Sequence, residues 1–259
     1  MKSRAKSTKP QRLRWWQWLM LALGSLLLLL LLGFVGYFLW SASHSLPADS
    51  SRVEAAKASQ QLSYTDAGSY YVIQPTTSAR AGLIIYPGAF AEPSAYVGQY
   101  AELAERGIAV FVVRSPLNFA LLDINRADRI MREHGDIQRW YVAGHSLGGV
   151  TACEYAKRNQ AKLQGLILLA SYCNGDARSL TIPVLSISAS RDGLATPAKI
   201  AASRSSLPPQ TIYVVIDGAN HTLFGSFAKT QSGDGIATIS ADAATQQILQ
   251  AIDGFVQSN

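Results

Sequence analysis

The chain has 259 residues, 48% of them hydrophobic, which suits one domain of ordinary enzyme size with a sizeable core and leaves room for an appendage. Its formal net charge is +6, but six of its 23 basic residues, Lys2, Arg4, Lys6, Lys9, Arg12 and Arg14, fall in the first 14 positions with no acid among them. The rest of the chain is balanced by its 17 acidic residues, so no basic face remains to argue for nucleic acid.

Leu19 to Trp40 is a run of 22 residues without a charge, rich in leucine, and about 20 such residues cross a bilayer as a helix. Trp15, Trp16 and Trp18 stand at its start and Tyr37 and Trp40 at its end, matching the aromatic enrichment at the two interfaces. The sequence therefore predicts a basic cytoplasmic head at 1–18, a transmembrane anchor at 19–40, a linker or short helix at 41–61 and a globular domain at 62–259. Basic residues stay in the cytoplasm, so the globular domain is expected outside. The alternative is a signal peptide cut near Ser41-Ala42-Ser43, although the apolar run is longer than the about 7 to 15 residues of a signal core.

Tyr64, Tyr70, Tyr71, Val72 and Ile73 around Asp66-Ala67-Gly68 read as a hairpin at the antiparallel edge of a sheet. Ala81 to Tyr86 and Ile108 to Val113 are continuous apolar runs, as in strands buried on both faces, and Glu92-Pro93-Ser94 opens a helix between them to about Arg106. A helix from Asp123 to His134 leads into a strand at Trp140 to Ala143, and another helix covers Leu147 to Arg158. Further strands follow at Leu166 to Ala170, Val184 to Ile187 and Ile212 to Ile216, with a helix at Pro197 to Ser205. Ser240 caps a last amphipathic helix from Ala241 to Val256. Strand alternating with helix predicts an α/β fold, a mostly parallel sheet with helices on both faces.

Chemistry concentrates at strand ends. Gly144-His145-Ser146-Leu147-Gly148 fits the G-x-S-x-G elbow, in which a strand turns so sharply into a helix that the flanking positions lack side chains and the serine stands exposed. A serine is a weak nucleophile until a histidine takes its proton and a third group orients that histidine. Asp192 and His221 each follow a strand, and the order Ser146, Asp192, His221 is that of α/β-hydrolases. Asp217 is the rival acid, and its place four residues before His221 suits loop support better.

From about Ala81 to Val256, roughly two thirds of the chain, the sequence resembles an α/β-hydrolase of the serine esterase and dienelactone-hydrolase-like branch. The resemblance implies Ser146 as nucleophile, Asp192 as acid and His221 as base. It places oxyanion donors at the backbone N–H of Leu147 and in the loop Pro87-Gly88-Ala89-Phe90, with Ala89 favoured and Phe90 second. Relatives often carry His-Gly where this chain has Pro87-Gly88. The expected activity is cleavage of small carboxylic esters through an acyl-enzyme, with no cofactor and no metal. Lipases, thioesterases, acyltransferases and catalytically silent binding modules share the fold.

Other candidates have blander readings. His145 is expected as packing, His134 at a helix end and His44 in the linker, and the four histidines show no metal-ligand spacing. Cys153 and Cys173 are expected as two buried thiols, with a disulfide as the alternative open to an exported domain. Leu117, Phe119, Leu121 and Leu122 either line an acyl pocket or cap the core. Asn125-Arg126-Ala127-Asp128 reads as a solvated helix face, and Ser232-Gly233-Asp234-Gly235 as a flexible rim loop, since it lacks the lysine and the preceding strand of a phosphate loop. Ser171 to Ile182 is too short for a helical lid, so short acyl groups are expected.

Overall fold

The computed structural model describes residues 14–259, and most of the basic head lies outside the described residues. The chain divides into two units between Ser43 and His44. Within the first, a single helix, α1 (Trp15–Ser43), outruns the Leu19 to Trp40 stretch at both ends and buries none of its side chains. Its 29 residues reach about 43 Å, more than the roughly 30 Å of a bilayer core. By length and composition it is able to cross a membrane.

The second unit is built on one sheet of eight strands. In chain order they are β1 (Leu62–Asp66), β2 (Tyr70–Pro75), β3 (Ala81–Tyr86), β4 (Ile108–Val113), β5 (Trp140–His145), β6 (Gly165–Leu169), β7 (Val184–Ala189) and β8 (Ile212–Ile216), and in space they run β1-β2-β4-β3-β5-β6-β7-β8. β1 and β2 form the expected hairpin and join β4 antiparallel; every pairing from β4 to β8 is parallel. Gly68 sits at φ +77° in the hairpin turn, a conformation that a side chain would strain.

Every residue of β3 to β7 is buried, because helices cover both faces. Alternate side chains feed two cores. Leu83, Ile85, Val110, Val112, Tyr141 and Ile167 pack with α3 (Ser94–Glu105) and α7 (Ala241–Ser258), which bring Tyr96, Tyr100, Ile248 and Ile252. Ile84, Tyr86, Phe111, Val142 and Leu168 face the opposite side and meet α4 (Arg126–Glu133) and α5 (Leu147–Asn159) through Ile130, Ala152 and Tyr155. Ser240 caps α7 as expected, its Oγ accepting the Ala243 N–H at 3.1 Å.

Four expectations need correction. Of the linker or short helix read over 41–61, the short helix is present as α2 (Ser50–Ala58), but from His44 onward the segment belongs to the globular unit: Leu46 bridges to Ala91, Ala48 bridges to Phe227, and α2 buries Val53 and Ala56. The helix expected from Asp123 begins instead at Arg126, after a 3-10 turn over Ala120–Asp123. Asn125 to Asp128 is not simply a solvated face, since Ala127 is buried and Asp128 accepts from the Tyr155 hydroxyl at 2.8 Å and from Lys162 Nζ at 2.7 Å.

The fourth concerns sulfur. Cys153 and Cys173 form a disulfide, their Cα atoms 5.5 Å apart, rather than two thiols. Beyond β6 the chain turns back at Ala170, where φ is +45°, and brings Cys173 to the flank of α5. A strand-end position alone does not reveal that reversal.

Candidate active site

Ser146 stands at the junction of β5 and α5 with φ +53° and ψ −124°, a conformation that costs a non-glycine residue about 1 to 3 kcal/mol. Its neighbours allow nothing else. A Cβ on Gly144 would lie 2.0 Å from the Gly148 carbonyl oxygen, and one on Gly148 would lie 2.0 Å from that of Tyr86. The turn is held by the Ser146 N–H, which donates to the Leu169 carbonyl at 3.0 Å. Its own carbonyl accepts from Gly149 N–H at 2.9 Å and from the Ser171 hydroxyl at 2.5 Å.

Asp192 and His221 leave the ends of β7 and β8 and meet each other. His221 Nδ1 donates to Asp192 Oδ2 at 2.8 Å, and both side chains are almost wholly buried. Asp192 Oδ1 is fixed by the N–H groups of Leu194 and Ala195 at 2.8 and 2.7 Å, so the carboxylate is aimed rather than merely near. His221 Nε2 is buried and has no hydrogen-bond partner among the described residues. Asp217 takes no part: it is exposed and accepts from the Ser190 hydroxyl at 2.8 Å, which supports the loop backbone as read from the sequence.

His145 is the packing residue expected of it, and it also links other parts of the site. Its ring lies 4.5 Å from that of His221 and stacks on Phe224 at 5.8 Å. Burial first, and the adjacent His221 second, hold its pKa well below the ordinary histidine range, so it is neutral. A neutral ring leaves Nδ1 to accept from the Tyr96 hydroxyl at 2.8 Å, and that hydroxyl oxygen accepts the Gly88 N–H at 2.9 Å. Tyr96 thus joins the loop after β3 to the residue before Ser146.

That loop has three N–H groups to offer, and two are already engaged. Gly88 N–H goes to Tyr96, and Phe90 N–H donates to the Asn118 carbonyl at 2.8 Å, which removes Phe90 as the second oxyanion candidate. The N–H groups of Ala89 and Leu147 make no hydrogen bond among the described residues. The loop lies against the elbow, since a Cβ on Gly88 would sit 3.5 Å from Ser146 Cβ.

A cavity of about 200 Å³ opens at Ser146 between the loops that follow β6 and β7, with Leu147, Val150, Ala170, Tyr172 and Leu194 in its wall and no charged side chain among its lining residues. None of Leu117, Phe119, Leu121 and Leu122 lines it. Phe119 instead packs its ring on Phe90 at 5.7 Å, and Leu117 and Leu122 are exposed. No helix intervenes between β6 and β7, as the short interval predicted. His134 ends α4 with its ring 4.7 Å from Phe111, and His44 is exposed. Among the described residues no group of three or more His, Cys, Asp or Glu side chains is arranged to hold a metal ion.

Ser232 to Gly235 departs most from its reading as a rim loop. Asp234 Oδ1 accepts from the N–H groups of Gly193 and His221, both at 3.1 Å, and of Gly235 at 2.7 Å. Its Oδ2 accepts from the Thr222 N–H at 2.8 Å and hydroxyl at 2.6 Å. Burial favours the neutral acid, but the bonds from Thr222, Gly193 and His221 outweigh it and hold the pKa below the ordinary value of 3.8. The glycines on either side of Asp234 were the signal available in the sequence: a Cβ on Gly235 would lie 1.8 Å from the Arg191 carbonyl oxygen.

Comparison with known proteins bears on the family of the chain. The sequence profile of the Alpha/beta hydrolase family matches residues 82–246. Among curated proteins, Cutinase 1 of Thermobifida cellulosilytica is 30% identical over 169 residues, which cover 54% of this chain. The chain spans 64% of that relative's length.

Proposed function

The chain belongs to the alpha/beta hydrolase family, and from that premise we propose that it is a membrane-anchored serine esterase that cleaves small carboxylic esters. The observation that carries the reading is the buried Asp192–His221 pair at 2.8 Å, its imidazole 4.5 Å from the ring of His145, the residue that precedes a serine held in a strained elbow. His221 Nε2 takes the Ser146 proton as Oγ attacks the ester carbonyl, and Asp192 steadies the resulting imidazolium. The free N–H groups of Leu147 and Ala89 bind the oxyanion. The imidazolium returns its proton to the leaving alcohol, and His221 then activates a water that hydrolyses the acyl-enzyme. The sequence similarity to a cutinase supports ester cleavage.

The small uncharged cavity and the lack of a helix over it favour short acyl groups, because a long chain gains about 0.8 kcal/mol per CH₂ only where apolar wall is available to cover it. Two features support an outward-facing domain: the basic residues preceding the apolar helix, and a disulfide, which persists in oxidising compartments. Leu19 to Trp40 anchors the chain.

The test is turnover of p-nitrophenyl esters by the full chain in detergent. Ser146→Ala and His221→Ala should each lower kcat by on the order of 10⁴-fold, Asp192→Ala by a large factor too, and a fluorophosphonate should label only enzymes that retain Ser146. Turnover should peak between acetyl and butyryl. Near-normal activity in Ser146→Ala overturns the mechanism. A severe Asp217→Ala with a mild Asp192→Ala reassigns the acid, and a steady rise to palmitoyl overturns the substrate class.

A further inference from the structure

We infer that Asp234, through backbone bonds rather than contact with substrate, is a positioning residue that sets the alignment of Asp192 with His221; the inference rests on the triad proposed above. Its two carboxylate oxygens span two loops that come from different strands. On the acid side it takes the N–H of Gly193, the residue after Asp192. On the base side it takes the N–H of His221 itself and both donors of Thr222.

The segment carrying Asp234 is seated closely enough to act as a strut. A Cβ on Gly193 would fall 2.6 Å from the Gly233 carbonyl oxygen, so the two backbones meet without side chains between them. Asn220 Nδ2 donates to the Gly235 carbonyl at 2.7 Å, and Gln231 N–H to the Thr222 hydroxyl oxygen at 3.0 Å. Nearer the strands the loops have other ties, Arg191 N–H to the Ala219 carbonyl at 2.9 Å and Gly218 N–H to Ser190 Oγ at 2.8 Å. Asp234 is the tie that acts at the acid and base positions themselves. Without it the N–H groups of Gly193, His221 and Thr222 lose their acceptor together, and the Asp192–His221 bond loses the frame that fixes its length.

The consequence is specific to proton transfer. The titratable groups that face His221 are Asp192, bonded to Nδ1, His145, neutral and 4.5 Å away across the rings, and Asp234, which bonds the backbone. Loosening the Asp192 contact removes the carboxylate that orients His221 and steadies the imidazolium formed as the proton moves. The cavity wall does not include Asp234, so binding is left largely alone.

Asp234→Ala and Asp234→Asn, made in the full chain, test this. Asp234→Ala should lower kcat on p-nitrophenyl butyrate by about 10- to 100-fold, the scale set by a small misplacement of catalytic groups, while KM changes by less than about 3-fold. Asparagine keeps one oxygen for the Gly193 and His221 N–H groups, so Asp234→Asn should recover part of the loss, and it decides the matter if the alanine variant fails to fold. A kcat within about 2-fold of the parent in folded Asp234→Asn and Asp234→Ala, or a loss confined to KM, overturns the inference. If Ser146→Ala remains active, the triad reading fails instead; an inactive Ser146→Ala beside an unaffected Asp234→Ala sinks the positioning role alone.

Discussion

The phenolic oxygen of Tyr96 accepts the Gly88 N–H and donates to His145 Nδ1, so one atom ties the loop that carries Ala89 to the residue preceding Ser146. Tyr96 is fully buried, so removing its hydroxyl leaves the Gly88 N–H and His145 Nδ1 without that partner. Each orphaned buried group costs about 1 to 3 kcal/mol. Tyr96→Phe should therefore lower the thermal midpoint by several degrees and reduce kcat by about 10-fold as the Ala89 N–H loses its aim, with both effects measurable on one preparation. Glycine spacing and strand-end positions singled out Ser146, Asp192 and His221 in the sequence, and the structure pairs Asp192 with His221. Tyr96 was not singled out, since an aromatic at the start of a helix in an apolar stretch reads as core. Ala89 was favoured over Phe90 only by resemblance; the structural reason is that the Phe90 N–H is bonded to Asn118.

At the scale of elements, β3 to β7 were readable because strands buried on both faces are continuous apolar runs, a pattern that loops do not imitate. Less was legible where tertiary contact decides. Residues 44–61 look polar and mixed, yet Val53 and Ala56 dock on the domain and Asp49 caps α2, its side chain accepting the Ser51 N–H at 3.0 Å. The Cys153–Cys173 bridge fastens α5 to the loop that supplies Ser171 and Tyr172 to the cavity, with a sequence separation of 20. Closing a loop of that size contributes about 3 kcal/mol. The Cys153→Ala, Cys173→Ala double variant should lose about that much in urea unfolding, and reductant should destabilise the parent but not the variant. Equal sensitivity of the two to reductant would show that the bridge does not form in solution.

For the molecule as a whole, acid should act in two stages. His145 is held neutral in the fold, with its pKa well below 6.5, and His134 is shifted in the same direction, by burial first. The unfolded chain binds protons at these sites from about pH 6.5 downward while the native chain does not, so stability present above that pH is lost as pH falls, by at most about 1.4 kcal/mol per pH unit for each group. Asp234, with a folded pKa below 3.8, adds stability that is full above the ordinary carboxylate range and disappears on further acidification. Unfolding midpoints followed from pH 8 to pH 3 should decline from about pH 6.5 and steepen below about pH 4, and His145→Gln should flatten the first stage. A flat profile down to pH 4 would contradict the neutral, buried His145. On the reading proposed above, the clamp at Asp234 also bears on when the chain reaches full activity. A ribosome releases the apolar helix first, then Ser146, and only much later His221 and Asp234. Until the last of these arrives the Asp192–His221 pair lacks its frame, so on the reading proposed above a chain that stops short of Asp234 turns over esters more slowly than the finished domain, by the same factor of about 10- to 100-fold.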